Sequence, residues 1–184
     1  MANKTKEQVI NEEYIDVDPQ RILAILPMLP YQTIADIGSG SGYFTIPFAK
    51  YVFSGKVYAI DTEKKALDAT MQQVRNINLT NVETKRLKSN KLPLDDECLD
   101  GSIAAFTLGG NKNAKSLLED TYRSMRKGAW LALIEWNKSS RSVGPPMKDR
   151  IQESDLLKVA EQVGFRFTTR QDINDHKYMI LMRK

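Results

Sequence analysis

The apolar and polar positions of this 184-residue chain follow two periods that alternate along it. Short apolar runs, typical of buried strands, alternate with segments in which apolar residues recur every three or four positions, as in helices. Predicted strands cover residues 33–38, 56–61, 82–87, 99–106 and 130–136. Predicted helices cover residues 42–51, 112–125 and 153–163, with another that follows the second strand and ends at about residue 75. This order predicts a doubly wound sheet.

The remaining segments complete one predicted domain over residues 1–184. Asp18 and Pro19 are typical of a helix start, so residues 1–30 are expected to form an N-terminal helical segment. Residues 165–170 and 177–182 predict a closing antiparallel pair with a polar turn between them. The expected fold class is therefore α/β, a three-layer Rossmann-like sheet that is mostly parallel and ends in an antiparallel hairpin.

Residues 34–42, Ile-Ala-Asp-Ile-Gly-Ser-Gly-Ser-Gly, join the first strand to the first helix. Three glycines alternate there, at Gly38, Gly40 and Gly42. Glycine lets the backbone adopt positive φ and approach a ligand closely. A dinucleotide fingerprint, G-x-G-x-x-G/A, would need glycine or alanine where Tyr43 or Thr45 stands. The turn therefore predicts a different nucleotide ligand; a structural corner in which Asp36 caps the helix is the alternative.

A second acidic position follows one strand later. The run 56–60 is short and β-rich and ends in Asp61, about 20 residues beyond the glycine turn. At this distance the acid of a βαβ nucleotide site accepts hydrogen bonds from the ribose hydroxyls. For Asp61 alone, capping of the helix that opens with Thr62 and Glu63 is the alternative. Together with the glycine turn, Asp61 indicates a nucleoside site.

The pattern D-x-G-x-G-x-G at residues 36–42 resembles motif I of the class I S-adenosylmethionine-dependent methyltransferases. The resemblance covers nearly the whole chain from about residue 18, and is closest to the family that contains the ubiquinone/menaquinone C-methyltransferases. It implies S-adenosylmethionine as cofactor, with Asp36 near the charged methionine end and Asp61 at the ribose. The cofactor-binding residues that it implies are Asp36, Gly38, Ser39, Gly40, Gly42, Asp61, Thr62, Lys88, Ser89 and Thr107.

Two positions depart from the pattern of that family. Its members usually place an acid at the end of the third strand, where it accepts a hydrogen bond from the adenine amino group. Lys88 stands there, and because lysine has no acceptor, the adenine is expected to be held by Ser89, Asn90 or backbone, or held weakly. The His-Glu pair that often follows the fourth strand is absent, and the segment in its place offers Thr107 and Asn111 as polar groups.

Methyl transfer from a sulfonium needs mainly a positioned nucleophile and the exclusion of water. A general base is needed only for a protonated acceptor, and the candidate catalytic residues are Thr107, Asn111 and Glu135. Glu135 is either a base whose pKa is raised within an apolar strand or a surface acid at a strand end. The expected acceptor is a small molecule, and residues 1–30 are expected either to cover the active site or to pack without that role.

Composition limits the other classes of function. The net charge is +4 at pH 7, but the basic residues are scattered, which favours a solvated surface over a nucleic-acid footprint. No apolar run approaches the ~20 residues that span a bilayer, and one cysteine and one histidine disfavour a metal site.

We therefore expect a cytoplasmic methyltransferase that acts on a small molecule, without a metal and without a membrane or nucleic-acid partner. The oligomeric state stays open, a homodimer included. Two alternatives also stay open: a protein of the same fold that binds S-adenosylmethionine without catalysis, and a nucleotide-binding oxidoreductase.

Overall fold

A seven-stranded sheet organises the computed structural model, which describes residues 16–89, 91–138 and 143–184. In chain order the strands are β1 Thr33–Ile37, β2 Lys56–Asp61, β3 Val82–Arg86, β4 Leu99–Ala105, β5 Met125–Trp136, β6 Arg166–Asn174 and β7 Lys177–Arg183. Their spatial order is β3-β2-β1-β4-β5-β7-β6, in which β1 to β5 run parallel and β7 pairs antiparallel with both neighbours. The predicted fold class is confirmed.

Helices cover both faces of this sheet. Within the described ranges they are α1 Pro19–Ile25, α2 Thr45–Tyr51, α3 Lys64–Asn76, α4 Ala114–Ser124 and α5 Glu153–Val163, with a 3-10 turn at Met147–Asp149. Ile22 of α1 and Phe48 of α2 belong to one hydrophobic cluster. Leu117 of α4 and Leu156 of α5 belong to another. The sheet thus forms the middle of three layers.

The apolar run of β5 reflects burial on both faces of the sheet. Trp130 and Ile134 belong to the cluster under α1 and α2, whereas Leu131 and Leu133 belong to the cluster under α4 and α5. β4 and β7 pair with the two sides of the strand. A strand in that position needs apolar residues on both faces, which explains why its sequence does not alternate with polar residues.

Two predicted helix ends are confirmed. The Asp18 side chain accepts a hydrogen bond from the Gln20 backbone N–H at 2.9 Å, and α1 begins at Pro19. Gly164 ends α5 in the left-handed conformation, at φ +118°. Residues 1–15 lie outside the described part of the chain, so the role of the segment 1–30 as a cover stays a prediction.

Two predicted element starts are wrong. α2 begins at Thr45 instead of Gly42, because Gly42 still lies in the turn, at φ +94°. β5 begins at Met125 instead of residue 130, because Met125 pairs with Leu99 before a register shift that follows Leu99. The prediction left the three exposed residues after Met125 outside the strand, although they belong to it.

The polar turn predicted for the closing hairpin is also wrong in extent. β6 continues through its polar residues to Asn174, because it is an edge strand that faces water. The connection shrinks to Asp175 and His176, and the His176 backbone N–H donates to the Asn174 side chain at 2.9 Å. Polar composition alone did not distinguish an exposed edge strand from a loop.

The order of the strands reverses direction at β1. The chain passes from β1 to β2 and β3 on one side, and then crosses to β4 on the other side of β1. In open α/β sheets, ligands bind at the carboxyl ends of the strands at such a switch point. The fold therefore directs attention to the loops that follow Ile37, Asp61, Arg86 and Ala105.

Gly101 provides a test of the core between β4 and β5. A Cβ atom at this position would lie 2.0 Å from Cε2 of the Trp130 ring. We expect Gly101→Ala to lower the free energy of unfolding by about 1–3 kcal/mol, as overpacking of a core does, measured by urea denaturation. Trp130→Phe should recover part of this loss in the double variant, because it removes the indole atoms nearest to the new methyl group. Additive losses would contradict this account of the packing.

Candidate functional site

A cavity of about 740 Å³ lies at the switch point, at the carboxyl ends of β1 to β4. Its volume is within the range of small-molecule sites. The residues that line it are Gly38, Asp61, Thr62, Arg86, Leu87, Lys88, Ser89, Thr107, Asn111 and Leu117. Six of these were predicted to bind the cofactor, and Asn111 was a candidate catalytic residue. The sequence therefore located most of the residues at this edge of the sheet.

The glycine turn folds against the ends of two neighbouring strands. Gly38 and Ser39 donate their backbone N–H groups to the Ile60 carbonyl at 2.8 and 3.0 Å. Gly38 has φ +75°, and a Cβ atom there would lie 2.3 Å from the Thr107 hydroxyl. Gly40 has φ +54°, and its Cβ direction meets no atom within 4 Å. Position 38 therefore has no room for a side chain, whereas position 40 borders open space.

Asp61 ties the glycine turn to the end of β2. One carboxylate oxygen accepts the Gly40 backbone N–H at 2.8 Å, and the other accepts the Glu63 backbone N–H at 2.8 Å. The first bond joins two segments 21 residues apart in sequence, and the second begins the turn that contains Thr62. Asp61 is half-buried and lines the cavity together with Thr62. The bond to Glu63 lies in the turn before α3, which has no side-chain cap, and the ribose contact expected of Asp61 stays a prediction.

Asp36 lies under the turn and is not among the described residues that line the cavity. It is 2% exposed, and its carboxylate accepts a hydrogen bond from the Thr45 hydroxyl at 2.6 Å. Burial raises the pKa of Asp36 from 3.8 to about 7; the Thr45 bond opposes this rise, and the charge of Asp61 adds to it. Asp36 and Thr45 thus connect β1 to α2 on the inner side of the turn.

Ser39 and Gly42 also belong to the inner side of the turn. Ser39 is 2% exposed, and its hydroxyl has no hydrogen-bond partner within the part of the chain that the structure describes. A Cβ atom on Gly42 would lie 3.0 Å from the Thr70 side chain of α3. Of the predicted cofactor residues, Asp36, Ser39, Gly40 and Gly42 therefore support or shape the cavity edge, and the other six line the cavity itself.

Thr107 reaches the cavity because the backbone turns sharply at the end of β4. Phe106 has φ +55°, an uncommon conformation for a large side chain. The Thr107 hydroxyl lies 3.0 Å from the Ile37 carbonyl and 3.0 Å from the Ala105 carbonyl, both of which can accept its proton. This bonding holds the Thr107 side chain against Gly38, so the hydroxyl is part of the strand junction.

Asn111 borders the cavity and is held by its own loop. Its side-chain oxygen accepts the Asn113 backbone N–H at 2.9 Å, and its amide nitrogen lies 3.4 Å from the Thr107 carbonyl. It also lines a smaller, more open groove with Lys112, Lys138 and Asp155. Among the described residues, Asn111 therefore lines both the cavity and the groove.

Glu135 is a buried acid and is 2% exposed, so the interpretation as a surface acid is wrong. Its carboxylate accepts the backbone N–H groups of Leu108 and Gly109 at 2.8 and 3.0 Å. A Cβ atom on Gly109 would lie 3.0 Å from the same carboxylate. Glu135 is not among the described residues that line the cavity. Its observed contacts are those of a group that holds the loop after β4.

Three cavity residues were missed by sequence reasoning. Arg86 pairs with Asp61 in the register of β2 and β3, and its Nε donates to the Thr62 carbonyl at 3.2 Å. Leu87 continues the chain into the cavity wall, and Leu117 faces it from α4. The strand end beside the predicted Lys88 and Ser89 was a usable signal for the first two. No signal in the sequence marked Leu117 as a cavity residue, because its helical spacing is equally that of a core residue.

The described residues contain no cluster of three or more His, Cys, Asp or Glu side chains that could hold a metal ion. Among these same residues, no helix is both long and apolar enough to cross a bilayer.

A family model described as a methyltransferase domain matches residues 34–128. The demethylmenaquinone methyltransferase of Porphyromonas gingivalis is 33% identical over 129 residues, which are 69% of this chain and 51% of that protein. The ubiquinone/menaquinone biosynthesis C-methyltransferase UbiE of Escherichia fergusonii is 29% identical over 109 residues, 58% of this chain and 43% of that protein. The chain thus spans about half, or less, of the length of these curated relatives.

Solved structures show the same similarity over the whole fold. The crystal structure of an S-adenosylmethionine-dependent methyltransferase from Aquifex aeolicus has a TM-score of 0.88 and 26% identity, and the alignment covers 98% of each chain. The [4+2]-cyclase SpnF shares the fold at 14% identity, with a TM-score of 0.81 over 92% of this chain and 81% of that one. Because the matched family model covers more than half of the sequence and includes both the glycine turn and Asp61, this chain belongs to the class I S-adenosylmethionine-dependent methyltransferases.

Proposed function

We propose that this chain transfers a methyl group from S-adenosylmethionine to a small-molecule acceptor by in-line displacement. The observation that carries the proposal is the bond between the Gly40 backbone and the Asp61 carboxylate beside the cavity. This bond brings a turn with open space and an acid with remaining acceptor capacity to the same place. A nucleoside with a charged amino-acid end requires both.

The local chemistry fits such a cofactor. A carboxylate has about four acceptor positions, and the Gly40 and Glu63 backbone groups use two of those on Asp61. The two that remain correspond to the two hydroxyl groups of a ribose. The hydroxyl of Ser39, buried and without a partner among the described residues, is a further polar group at the turn. Gly38, Asp61, Thr62 and Thr107 would border the cofactor.

When bound, the cofactor supplies a methyl group that is already activated by its positive sulfur. The chain then has to orient the acceptor and exclude water. Thr107 and Asn111 are proposed to shape the wall at which the acceptor lies, because both line the cavity near the end of β4. Glu135 is proposed to position the loop that carries them through its bonds to Leu108 and Gly109.

This division of roles favours an acceptor that needs no strong base from the protein. Among the candidate catalytic residues, the Thr107 hydroxyl lies against strand carbonyls, and the Glu135 carboxylate accepts from two backbone N–H groups. Asn111 has no basic group. An acceptor atom that is nucleophilic at neutral pH is therefore proposed, and rate acceleration would come mainly from positioning.

The surface charges support a small molecule over a nucleic acid as acceptor. Basic side chains form ion pairs with nearby acids, as Lys85 does with Glu83, Arg126 with Asp100 and Lys64 with Asp68. Such pairing divides the positive charge into separate spots, whereas a nucleic-acid surface needs a continuous stripe. The cytoplasm remains the proposed location of the reaction.

Isothermal calorimetry with S-adenosylmethionine and S-adenosylhomocysteine tests the first half of the proposal. We expect binding of both, and then transfer of a radiolabelled methyl group to a member of a panel of small molecules with O, N, S or activated C acceptors. Binding without transfer across the panel would favour the alternative, a binding or regulatory protein. An absence of heat with both compounds at millimolar concentration would overturn the proposal.

Gly40→Val should abolish cofactor binding in the same calorimetric assay, because the new side chain would fill space that no protein atom occupies. The backbone conformation adds a stability cost of about 1–2 kcal/mol. Gly128→Val is the matched control: Gly128 also has positive φ, +82°, and no atom within 4 Å of its Cβ direction. The control should lose comparable stability in thermal unfolding and keep its affinity. Equal loss of affinity in both variants would contradict a local role for Gly40.

Asp61→Asn should weaken S-adenosylhomocysteine binding by about 1.5–3 kcal/mol, the usual worth of hydrogen bonds to a charged group. Asp68→Asn is the control, because Asp68 is an exposed acid seven positions further along that pairs with Lys64 and does not line the cavity. Calorimetry measures both affinities, and circular dichroism verifies the fold. Unchanged affinity for Asp61→Asn would remove this residue from the site.

The raised pKa of Asp36 predicts a pH effect on stability. Between about pH 4 and pH 7 the folded chain keeps the Asp36 proton while the unfolded chain loses it, so this residue's contribution falls as pH rises. Asp36→Asn should therefore gain stability relative to the parent chain across this window, by on the order of 4 kcal/mol at most. Urea denaturation at several pH values measures the difference, and a difference independent of pH would contradict the burial of an ionisable Asp36.

A further inference from the structure

The cavity has a distinct end at the carboxyl terminus of β3. Asp61 of β2 pairs in register with Arg86 of β3, so residues 87–89 begin where the strand register stops. β3 lies on the far side of β2 from the glycine turn. With the ribose at Asp61, the base of the nucleoside must extend toward this end. The inference below therefore rests on the proposed function.

Two leucine side chains give this end the walls that a flat base needs. Leu87 lines the cavity from the loop after β3, and Leu117, which is 3% exposed, lines it from α4. Leu87 is tied to β2 by its backbone N–H, which donates to the Asp61 carbonyl at 2.8 Å. The apolar faces accept a planar ring without specifying which ring it is. Recognition of the base thus depends on the polar rim.

The side chains of that rim are rich in donors. Lys88 lines the cavity and is exposed, and an ammonium group carries three donors and no acceptor. Arg86 also carries donors only, and one of them is used on the Thr62 carbonyl. Asp61 is the one carboxylate among the described residues that line the cavity.

The neutral acceptors that Ser89 and Asn111 offer at this end each hold one local bond. The Ser89 hydroxyl oxygen lies 3.3 Å from the Lys91 backbone N–H, from which it accepts. The Asn111 side-chain oxygen accepts the Asn113 backbone N–H at 2.9 Å. An exocyclic amino group directed at this rim would meet the donors of Lys88 and Arg86 and would have to share oxygens that already accept a local bond, whereas a carbonyl oxygen would find a donor.

We propose that Lys88 adapts the cavity to a base with an acceptor at its six position, so that a 6-oxopurine nucleoside is bound at least as well as the adenine nucleoside. Adenine carries an amino group there, and hypoxanthine carries a carbonyl oxygen. The Lys88 ammonium donates to that oxygen. Because Lys88 is exposed, the discrimination comes from the hydrogen bond that the oxygen accepts and the amino group cannot.

A comparison of the affinities of two nucleosides tests this inference, and the measurement needs no turnover. Isothermal calorimetry compares S-adenosylhomocysteine with S-inosylhomocysteine, which differ only in the base. We expect the parent chain to bind the inosyl compound with equal or higher affinity. Lys88→Glu, which replaces donors by acceptors, should shift the affinity ratio toward the adenosyl compound by about tenfold or more. Lys88→Met should give an intermediate ratio.

Lys91→Glu is the matched control for the change of charge. Lys91 lies three positions along the same loop and is exposed, but it lines a neighbouring groove instead of this cavity. In Lys91→Glu the ratio of the inosyl to the adenosyl affinity should stay within about twofold of the parent value, since a long-range charge effect is screened in salt. Thermal unfolding of all three variants verifies that each is folded.

The outcomes separate the two proposals. A parent chain that prefers S-adenosylhomocysteine by more than about twofold, or a Lys88→Glu ratio equal to the parent ratio, overturns the role of Lys88 and leaves methyl transfer intact. An equal shift in Lys91→Glu also overturns it, because the effect is then one of general charge. Failure of both nucleosides to bind overturns the proposed function together with this inference.

Discussion

The bond between the Gly40 backbone and the Asp61 carboxylate is the interaction on which the organisation of the site depends. It joins the loops after β1 and β2 at the point where the strand order reverses. Gly38 and Ser39 strengthen this junction through the Ile60 carbonyl, and the Thr107 hydroxyl closes it from β4. Three parallel strands therefore end in one rigid corner, and the cavity is the space that this corner leaves open.

Parts of this corner could be predicted from the sequence because they depend on local rules. Alternating glycines require a turn with positive φ, and an acid after the second strand must lie beside that turn once the strands are parallel. Gly38 and Asp61 therefore appear where they were expected. The Asp36 carboxylate lies beneath the turn and accepts from the Thr45 hydroxyl, and its place near the methionine end of the cofactor stays a prediction. Spacing locates a residue on a strand, but the direction of its side chain depends on packing across layers.

Glu135 is a second residue whose surroundings could not be predicted from its place in a strand. Its position in an apolar strand left open whether the acid is buried or exposed, because the answer depends on which loop passes over the end of β5. The loop after β4 does so, and its two N–H groups supply the partners that a buried carboxylate requires. Leu117 could not be recognised as a cavity residue for a similar reason, since the sequence pattern of an apolar helix position is the same whether it faces a core or a cavity. The edge strand β6 was shortened in the prediction because polar residues are common in loops and in exposed strands.

The position of β7 has a consequence for the biogenesis of the domain. This strand lies between β5 and β6, although it follows both in the chain, and its residues Tyr178 to Met182 are buried. On a translating ribosome, the earlier strands must wait with one flank of β5 unpaired until β7 has left the exit tunnel. The topology thus requires a strand to enter between β5 and β6, instead of an addition at the margin of the sheet.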